Sequence, residues 1–317
     1  MTLQSLRIGY VIDPIESLNF KKDTTLALMR ESQKRGFQNY TITIADLFLE
    51  DDRPMALAEK TELDGADNYR VIEEALIALE DLDVILMRKD PPFDVEYIMA
   101  TYILDRLGSS TIVINNPRSL RDLNEKVMVS RFPGIVPPNL LTSSINRALQ
   151  FMELHGKVVV KPTNKMGGRS IYVLQKGDPN IAVILEDMTK RGTRYVVLQK
   201  FIPEISEEGD QRILLINGKP ISYGVARIPI DGDHRGNLVC GAKASGFRLT
   251  PRHRTICDTL QPYLIQKGLF FVGIDVIGGF LTEVNITSPT GILEIDKLFG
   301  INVAQTFFDA LLETYFQ

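Results

Sequence analysis

The feature that most constrains the fold is an alternation of short apolar runs with helical patterns through the first 124 residues. The runs that predict buried strands are residues 6–12, 40–44, 84–87 and 111–114. The segments with apolar residues at helical spacing are residues 24–35, 71–79 and 96–106. Because strands that alternate with helices form parallel sheets, residues 1–124 are predicted to be one open α/β domain. The polar segment 50–68 lacks apolar periodicity and is predicted to be an exposed hairpin or loop.

The pattern changes at residues 133–138, where the sequence Pro-Gly-Ile-Val-Pro-Pro predicts a turn and a boundary between lobes. Beyond it, the predicted strands are residues 157–161, 170–174, 195–200, 211–216, 219–227, 270–277 and 280–284. The dipeptides Asn217-Gly218 and Gly278-Gly279 are typical of two-residue turns between antiparallel strands. The second part is therefore predicted to be an α+β region rich in antiparallel strands, with residues 230–246 as a long mobile loop.

Charge and cysteine content narrow the class of partner. A net charge of -4 argues against a nucleic-acid binder, because binding to the phosphate backbone needs a clustered basic excess. Cys240 and Cys257 are too few for a disulfide framework, and the start of the chain lacks the basic region of a signal peptide. No window approaches the roughly 20 apolar residues of a membrane helix. We therefore predict a cytoplasmic protein with a small-molecule partner and no membrane partner.

A lysine at the end of an apolar run is the first candidate for chemistry. Lys161 follows three consecutive valines and is followed, after a short polar stretch, by Gly167-Gly168. Glycines let backbone amides approach an anion closely, so this segment is predicted to hold phosphate. It matches neither the P-loop nor the dinucleotide fingerprint. A surface lysine beside a hairpin is the alternative.

Three oxygen-bearing side chains form the second candidate. Glu283 and Asn285 lie on one face of a predicted strand, and the Gly278-Gly279 turn folds Asp275 back toward them. Carboxylate and amide oxygens suit Mg²⁺. The alternative is a polar outer face of a hairpin, but the flanking apolar residues of Asp275 argue against it, because an unpaired buried carboxylate is costly.

Four basic residues in ordered segments form the third candidate: Arg88, Lys126, Arg212 and Arg227. Arginine binds carboxylate and phosphate with two parallel hydrogen bonds, so this set suits an anionic substrate. Each could instead be a solvated surface charge. The three histidines show no metal-ligand spacing, and no nucleophile motif is present in the sequence.

Several segments resemble the bacterial glutathione synthetase family of the ATP-grasp superfamily. The matching segments are residues 13–15, 19–23, 84–94, 100–104, 115–122, 268–275 and 283–290. The stretches RKDPPFD and EVNITSPT are specific to that family. The resemblance implies an ATP-grasp fold behind an N-terminal open α/β domain. It implies a substrate-binding domain (1–124), a central lobe (125–201) and a C-terminal lobe (202–317), with a flexible lid over 228–246.

The resemblance also implies roles for individual residues. Those implied to bind the nucleotide are Lys126, Lys161, Met166, Gly167, Gly168, Gln199, Lys200, Phe201, Ile202 and Asp210. The implied magnesium ligands are Asp275, Glu283 and Asn285. The arginines implied to act at the transferred phosphate and the peptide carboxylate are Arg212 and Arg227. The implied substrate contacts are Arg88, Arg235, Ser288, Pro289 and Thr290.

The implied reaction is the ATP-dependent ligation of γ-glutamylcysteine and glycine through an acylphosphate, giving glutathione, ADP and phosphate. The resemblance implies ATP with two Mg²⁺ ions, or Mn²⁺ in their place, and a homotetramer. This chain departs from the family pattern at Asn164-Lys165, at Gly241-Ala242-Lys243 and at Leu293. The alternatives are a related ATP-grasp peptide ligase with another acceptor amine and a non-catalytic ATP-binding module.

Overall fold

The computed structural model describes residues 5–109, 111–229 and 243–316. Within them the chain forms three β-sheets with flanking helices. No helix in these ranges is long and apolar enough to cross a membrane.

The first sheet occupies the N-terminal part of the chain. Its strands are β1 (Arg7–Val11), β2 (Gln38–Ile42), β3 (Leu47–Glu50), β4 (Arg53–Asp64), β5 (Asn68–Ala78), β6 (Val84–Met87) and β7 (Ile112–Ile114). Its helices are α1 (Thr24–Lys34), α2 (Val95–Asp105) and α3 (Pro117–Asp122). The strand order is β3-β4-β2-β1-β6-β7, with β5 on the other side of β4. Strands β2, β1, β6 and β7 are parallel, as the alternation with helices predicted.

Residues 71–79 were predicted to be helical, and this prediction is wrong. Residues 71–78 lie in β5, which pairs antiparallel with β4 from the pair Met55 and Ala78 to the pair Asp64 and Asn68, and Leu79 begins a short 3-10 helix. Segment 50–68 contains β4 and the turn of a long hairpin, so the loop alternative is also wrong. Alternate residues of β4 are buried, and the hairpin is therefore only partly exposed.

The second and third sheets are antiparallel. The second sheet is formed by β8 (Asn139–Thr142), β9 (Lys157–Pro162), β10 (Tyr172–Gln175) and β11 (Val196–Lys200) in the order β10-β9-β11-β8. Two helices accompany it, α4 (Ile145–His155) and α5 (Ile181–Met188). The third sheet is formed by β12 (Asp210–Ile216), β13 (Lys219–Ile228), β14 (Lys243–Arg248), β15 (Phe271–Ile277) and β16 (Phe280–Asn285). Its order is β14-β13-β12-β15-β16. Its helices are α6 (Pro251–Gln266), α7 (Ile292–Phe299) and α8 (Val303–Tyr315).

The predicted strand bounds in this part lie within two residues of the observed ones. The predicted mobile loop 230–246 is wrong at its end, because residues 243–246 belong to β14 and pair with β13. Residues 230–242, the rest of that loop and most of the predicted lid, lie outside the described residues. Helices α4 to α8 were not assigned from the sequence.

The hydrophobic cores show how the sheets are joined. The second sheet has its own core, in which Val158 and Val160 of β9 pack with Leu185 of α5. The first and third sheets share two further cores, one of which joins Leu28 of α1 to Phe307 of α8. The second sheet is therefore packed separately from the other two, and Gln199 of its interior strand β11 hydrogen-bonds to the Thr282 carbonyl of the third sheet.

Candidate active site

One cavity opens between the second and third sheets. Fifteen of the predicted site residues line it: Lys126, Lys161, Met166, Gly167, Gly168, Gln199, Lys200, Phe201, Ile202, Asp210, Arg212, Arg227, Asp275, Glu283 and Asn285. The lining also includes residues that the sequence did not predict, and these are Val159, Lys165, Ile171, Ile205, Ile277 and Thr282. Val159 and Ile277 lie on predicted strands, and their alternation with core residues is the signal that could have found them.

Arg212 and Asp275 form the centre of the cavity wall. They occupy paired positions on β12 and β15. Arg212 Nε donates to Asp275 Oδ1 over 2.6 Å, and Nη2 donates to Oδ2 over 3.1 Å. A Cβ on Gly273 would lie 3.2 Å from the Arg212 side chain, so glycine leaves room for the guanidinium. This two-point pair fixes both side chains.

Arg227 on β13 joins two carboxylates. Its Nη2 lies 2.6 Å from Asp210 Oδ2 and 2.9 Å from Asp275 Oδ1. Burial alone would raise the pKa of Asp275, but Arg212 and Arg227 together hold this pKa well below its usual value. Burial raises the pKa of Asp210 to about 7, against the pull of Arg227. Asp275 is therefore the carboxylate that stays ionised at neutral pH.

The β15–β16 hairpin brings the three oxygen ligands together. Glu283 pairs with Asp275 across the hairpin, and Asn285 Nδ2 lies 3.2 Å from Asp275 Oδ2. Among the described residues no group of three His, Cys, Asp or Glu side chains could hold a metal, and this cluster offers two carboxylates and one amide. Two ionisable carboxylates and an amide oxygen fit a hard cation that keeps waters, such as Mg²⁺.

Lys126 reaches the same place from the segment before the second sheet. Its Nζ lies 2.8 Å from Glu283 Oε1 and donates to the Lys165 carbonyl over 2.9 Å. Burial would lower the pKa of Lys126, but the Glu283 carboxylate raises this pKa above its usual value. Lys126 is therefore a cation held on the cavity wall.

Lys161 lies one residue before the end of β9 and is buried. Its Nζ donates to Gln199 Oε1 over 2.6 Å. Burial lowers the pKa of Lys161, and the nearby carboxylates of Glu283, Asp210 and Asp275 offset only part of this effect. Beyond it, Gly167 and Gly168 have φ of 70° and 73°, which are left-handed conformations that favour glycine. Such a turn can direct successive amides at an anion.

The strand end at Lys200 and Phe201 uses two of its backbone amides within the protein. Lys200 N donates to the Pro138 carbonyl and Phe201 N to the Lys157 carbonyl, each over 2.9 Å. Any backbone hydrogen bond from segment 199–202 to a ligand must therefore use groups other than the Lys200 and Phe201 amides.

Four of the substrate-contact candidates lie at or beside a second, smaller cavity: Arg88, Ser288, Pro289 and Thr290. Arg88 and Pro289 line it. Arg88 Nη2 donates to the Pro289 carbonyl over 3.0 Å, and Ser288 Oγ donates to the Arg88 carbonyl over 3.2 Å. The Thr290 carbonyl accepts from Arg212 Nη1 over 3.1 Å and so links the two places. Arg235 lies outside the described residues.

Solved structures define the class of this fold. The chain superimposes on a D-cycloserine synthetase with a TM-score of 0.68 and 15% identity, over 97% of this chain and 99% of the other. It superimposes on the ATP-grasp ligase PsnB, complexed with its minimal precursor, with a TM-score of 0.64 and 15% identity over 98% and 99%. The protein therefore has the ATP-grasp fold.

Family models and relatives then give the family. The model for the prokaryotic glutathione synthetase N-terminal domain matches residues 6–121, and the model for its ATP-grasp domain matches residues 125–300. The glutathione synthetase of Vibrio cholerae is 44% identical over 96% of this chain and 97% of its own. That of Coxiella burnetii is 43% identical over 98% and 97%. The chain belongs to the prokaryotic glutathione synthetase family, and it is an ATP-dependent ligase.

Proposed function

We propose that this protein joins γ-glutamylcysteine to glycine at the expense of ATP. Membership of the family over almost the whole chain supports the substrates. The observation that carries the chemistry is the convergence of four buried cations on one cavity that also holds Asp275 and Glu283. Those cations are Lys126, Lys161, Arg212 and Arg227.

The reaction follows in two steps. A carboxylate oxygen of the dipeptide's C-terminal cysteine forms a bond to the γ-phosphorus of ATP, and the bond from that phosphorus to the bridging oxygen breaks, which releases ADP. The glycine amine then attacks the acyl carbon, the bond from that carbon to the phosphorylated oxygen breaks, and phosphate leaves with that oxygen while the nitrogen loses a proton to phosphate or solvent. The protein's part is to position the reactants and neutralise negative charge, so no protein nucleophile is needed.

The cavity residues divide between these tasks in our proposal. Lys126, Lys161 and the amides of 166–168 bind the nucleotide phosphates, while segment 199–202 and Asp210 bind the nucleoside. Arg212 and Arg227 lie at the transferred phosphate and the peptide carboxylate. The geometry that supports this is the pair of hydrogen bonds from Arg212 to the two Asp275 oxygens. These bonds fix the guanidinium so that its Nη1 donates to the Thr290 carbonyl.

A divalent cation accompanies ATP in this class of ligase, and Asp275, Glu283 and Asn285 are the residues that would hold it. Its contribution is to neutralise charge on the phosphate oxygens. We propose Mg²⁺, as two ions, with Mn²⁺ as a substitute. Isothermal titration of the wild type and of Asn285→Ala with Mg²⁺ in the presence of a non-hydrolysable ATP analogue tests the site, because the variant is expected to bind fewer ions.

The substrate side is proposed to include Arg88, Ser288, Pro289 and Thr290, together with Arg235. A buried guanidinium such as Arg88 suits a carboxylate of the dipeptide. We further propose three lobes (1–124, 125–201 and 202–317), a lid over 228–246, a homotetramer and a cytoplasmic location. Light scattering of the purified protein measures the subunit number.

An isotope experiment tests the acylphosphate. The C-terminal carboxylate of γ-glutamylcysteine is labelled with heavy oxygen, and the phosphate released during ligation is analysed by mass spectrometry. The proposed route transfers one labelled oxygen to phosphate in each turnover. Unlabelled phosphate alongside formation of the tripeptide would show that the carboxylate is not phosphorylated.

A further inference from the structure

A buried glutamate next to Lys126 holds the chain that leaves β16. Glu125 is 4% exposed. Its Oε1 accepts the backbone amides of Ile286 over 2.7 Å and of Thr287 over 3.0 Å, and the Thr287 hydroxyl over 3.1 Å. Its backbone carbonyl accepts the Val284 amide over 3.1 Å. Four hydrogen bonds thus tie one residue to a stretch of four consecutive residues.

The held stretch connects the two cavities. Asn285 lines the large cavity, while Thr287 and Pro289 line the small one. From the other side, Asn115 Nδ2 donates to the Ile286 carbonyl over 2.7 Å. Residues 286 and 287 are therefore clamped between two buried polar side chains. Glu125 is among the lining residues of neither cavity, so it can act only through the residues that it holds.

The neighbours of Glu125 in sequence extend the connection. Asn124 Nδ2 donates to the Thr163 carbonyl over 2.8 Å, at the start of the segment with Gly167 and Gly168. Lys126 binds Glu283 and the Lys165 carbonyl. Three consecutive residues therefore touch the phosphate segment, the end of β16 and the segment beside the small cavity.

We propose that Glu125 is a positioning residue, which fixes residues 285–290 so that the carboxylate substrate meets the γ-phosphate in reacting geometry. This inference rests on the proposed function. The carboxylate of Glu125 accepts all three side-chain hydrogen bonds at Oε1. Its Oε2 has no hydrogen-bond partner in the described part of the chain. Removing Oε1 leaves two buried amides and a hydroxyl without an acceptor, which favours a shifted segment.

The test compares Glu125→Ala with Glu125→Gln, whose amide oxygen can still accept from Ile286 and Thr287. Ligation kinetics are measured with γ-glutamylcysteine, MgATP and glycine, and MgATP affinity is measured by titration. Thermal denaturation checks that each variant is folded at the assay temperature. For Glu125→Ala we expect kcat to fall about 100-fold, the size of effect that a displaced reactant produces, and KM for the dipeptide to rise. We expect the Kd for MgATP to change less than about threefold, and Glu125→Gln to recover most of kcat.

A matched control removes a buried glutamate elsewhere. Glu31 is 7% exposed, accepts from Arg35 and Asn302, and lines neither of the two cavities. Glu31→Ala is expected to lower the unfolding temperature without changing kcat, KM for the dipeptide or KM for MgATP. If Glu125→Ala does not fold, Thr287→Val removes only the hydroxyl donor, and kcat/KM for the dipeptide is expected to fall about threefold to tenfold.

Several results would overturn the role of Glu125. They are wild-type kinetics in Glu125→Ala or in Thr287→Val, an equal loss in Glu125→Gln, and a loss of MgATP affinity as large as the loss for the dipeptide. Failure of the wild-type protein to ligate would instead contradict the proposed function, so the two failures are distinguishable.

Discussion

Lys126 Nζ lies 2.8 Å from Glu283 Oε1, which joins a proposed phosphate-binding lysine directly to a proposed metal ligand. The pair is mostly buried, with 4% and 18% of the two side chains exposed. A triphosphate that binds here would contact the Lys126 ammonium, and a metal ion would contact the Glu283 carboxylate, so the two ligands would bind the two halves of one ion pair. The affinity for the nucleotide is therefore expected to depend on whether the cation is bound, and the affinity for the cation on whether the nucleotide is bound.

Glu283→Gln tests that dependence. The amide is a poor ligand for Mg²⁺ and leaves Lys126 without its carboxylate partner, so we expect ligation to fall at least about 100-fold while the fold stays intact. Initial rates at saturating substrates and a circular dichroism melt measure the two effects. Glu80→Gln, at an exposed pair with Arg53, serves as the control. Normal turnover with a normal dependence on magnesium would remove Glu283 from the site.

Lys161→Ala should separate folding from nucleotide binding. Burial lowers the pKa of Lys161, so the charge is costly in the free protein, and this cost offsets the loss of the hydrogen bond to Gln199; the unfolding temperature should therefore change little. The affinity for MgATP should fall at least about tenfold, because a phosphate partner is lost. The unfolding temperature without MgATP measures stability, and its increase on addition of MgATP measures nucleotide binding. Lys176→Ala, at an exposed pair with Glu153, is the control, and an undiminished shift in Lys161→Ala would contradict the assignment.

Arg212→Lys tests whether the two-point geometry matters beyond charge. Lysine cannot reproduce the paired bonds to both oxygens of Asp275, and we expect ligation to fall about 100-fold. Arg35→Lys changes a comparable arginine, which binds Glu31 and Asp309 away from the cavity. It should affect stability alone. Equal rate losses in the two variants would assign the effect of Arg212 to folding.

Stability should depend on pH through Asp296. Its Oδ1 accepts the Val303 amide over 2.9 Å, and burial raises the pKa of Asp296 from 3.8 to about 6. A raised carboxyl pKa means that the folded state prefers the protonated form, so this contribution to stability is lost as pH rises from about 4 through about 6. Asp296→Asn has no such loss.

The unfolding temperatures of the wild type and Asp296→Asn are compared at several pH values between about 4 and 7. The difference should shift in favour of the variant as pH rises. Asp258→Asn, on the exposed side of α6, removes the same charge and controls for net charge. A difference that does not vary with pH would contradict the expectation.

Local sequence patterns predicted the parts of the site that lie on one hairpin. Gly278-Gly279 marks the turn, and the alternation along β15 and β16 then places Asp275 opposite Glu283. Continuous apolar runs likewise predicted β1 and β6, because strands buried on both faces carry few polar residues. These features depend on residues close together in the chain.

Features that depend on distant residues were missed. Residues 71–79 carry apolar side chains compatible with either a helix or a strand, and pairing with β4 decides in favour of the strand. The ion pair of Lys126 with Glu283 joins residues 157 positions apart, and the partners of Asp275 come from two other strands. No local pattern carries such contacts, since the partners of Asp275 are set by the order of strands in the third sheet and Lys126 reaches Glu283 from outside that sheet.

The most direct test of the proposed function is phosphate release from MgATP and γ-glutamylcysteine with different acceptor amines. Glycine, alanine, serine and β-alanine are offered separately, and the product masses are determined. Fast release is expected only with glycine, together with the mass of the tripeptide glutathione. Preference for another amine, or no release although MgATP binds, would contradict it.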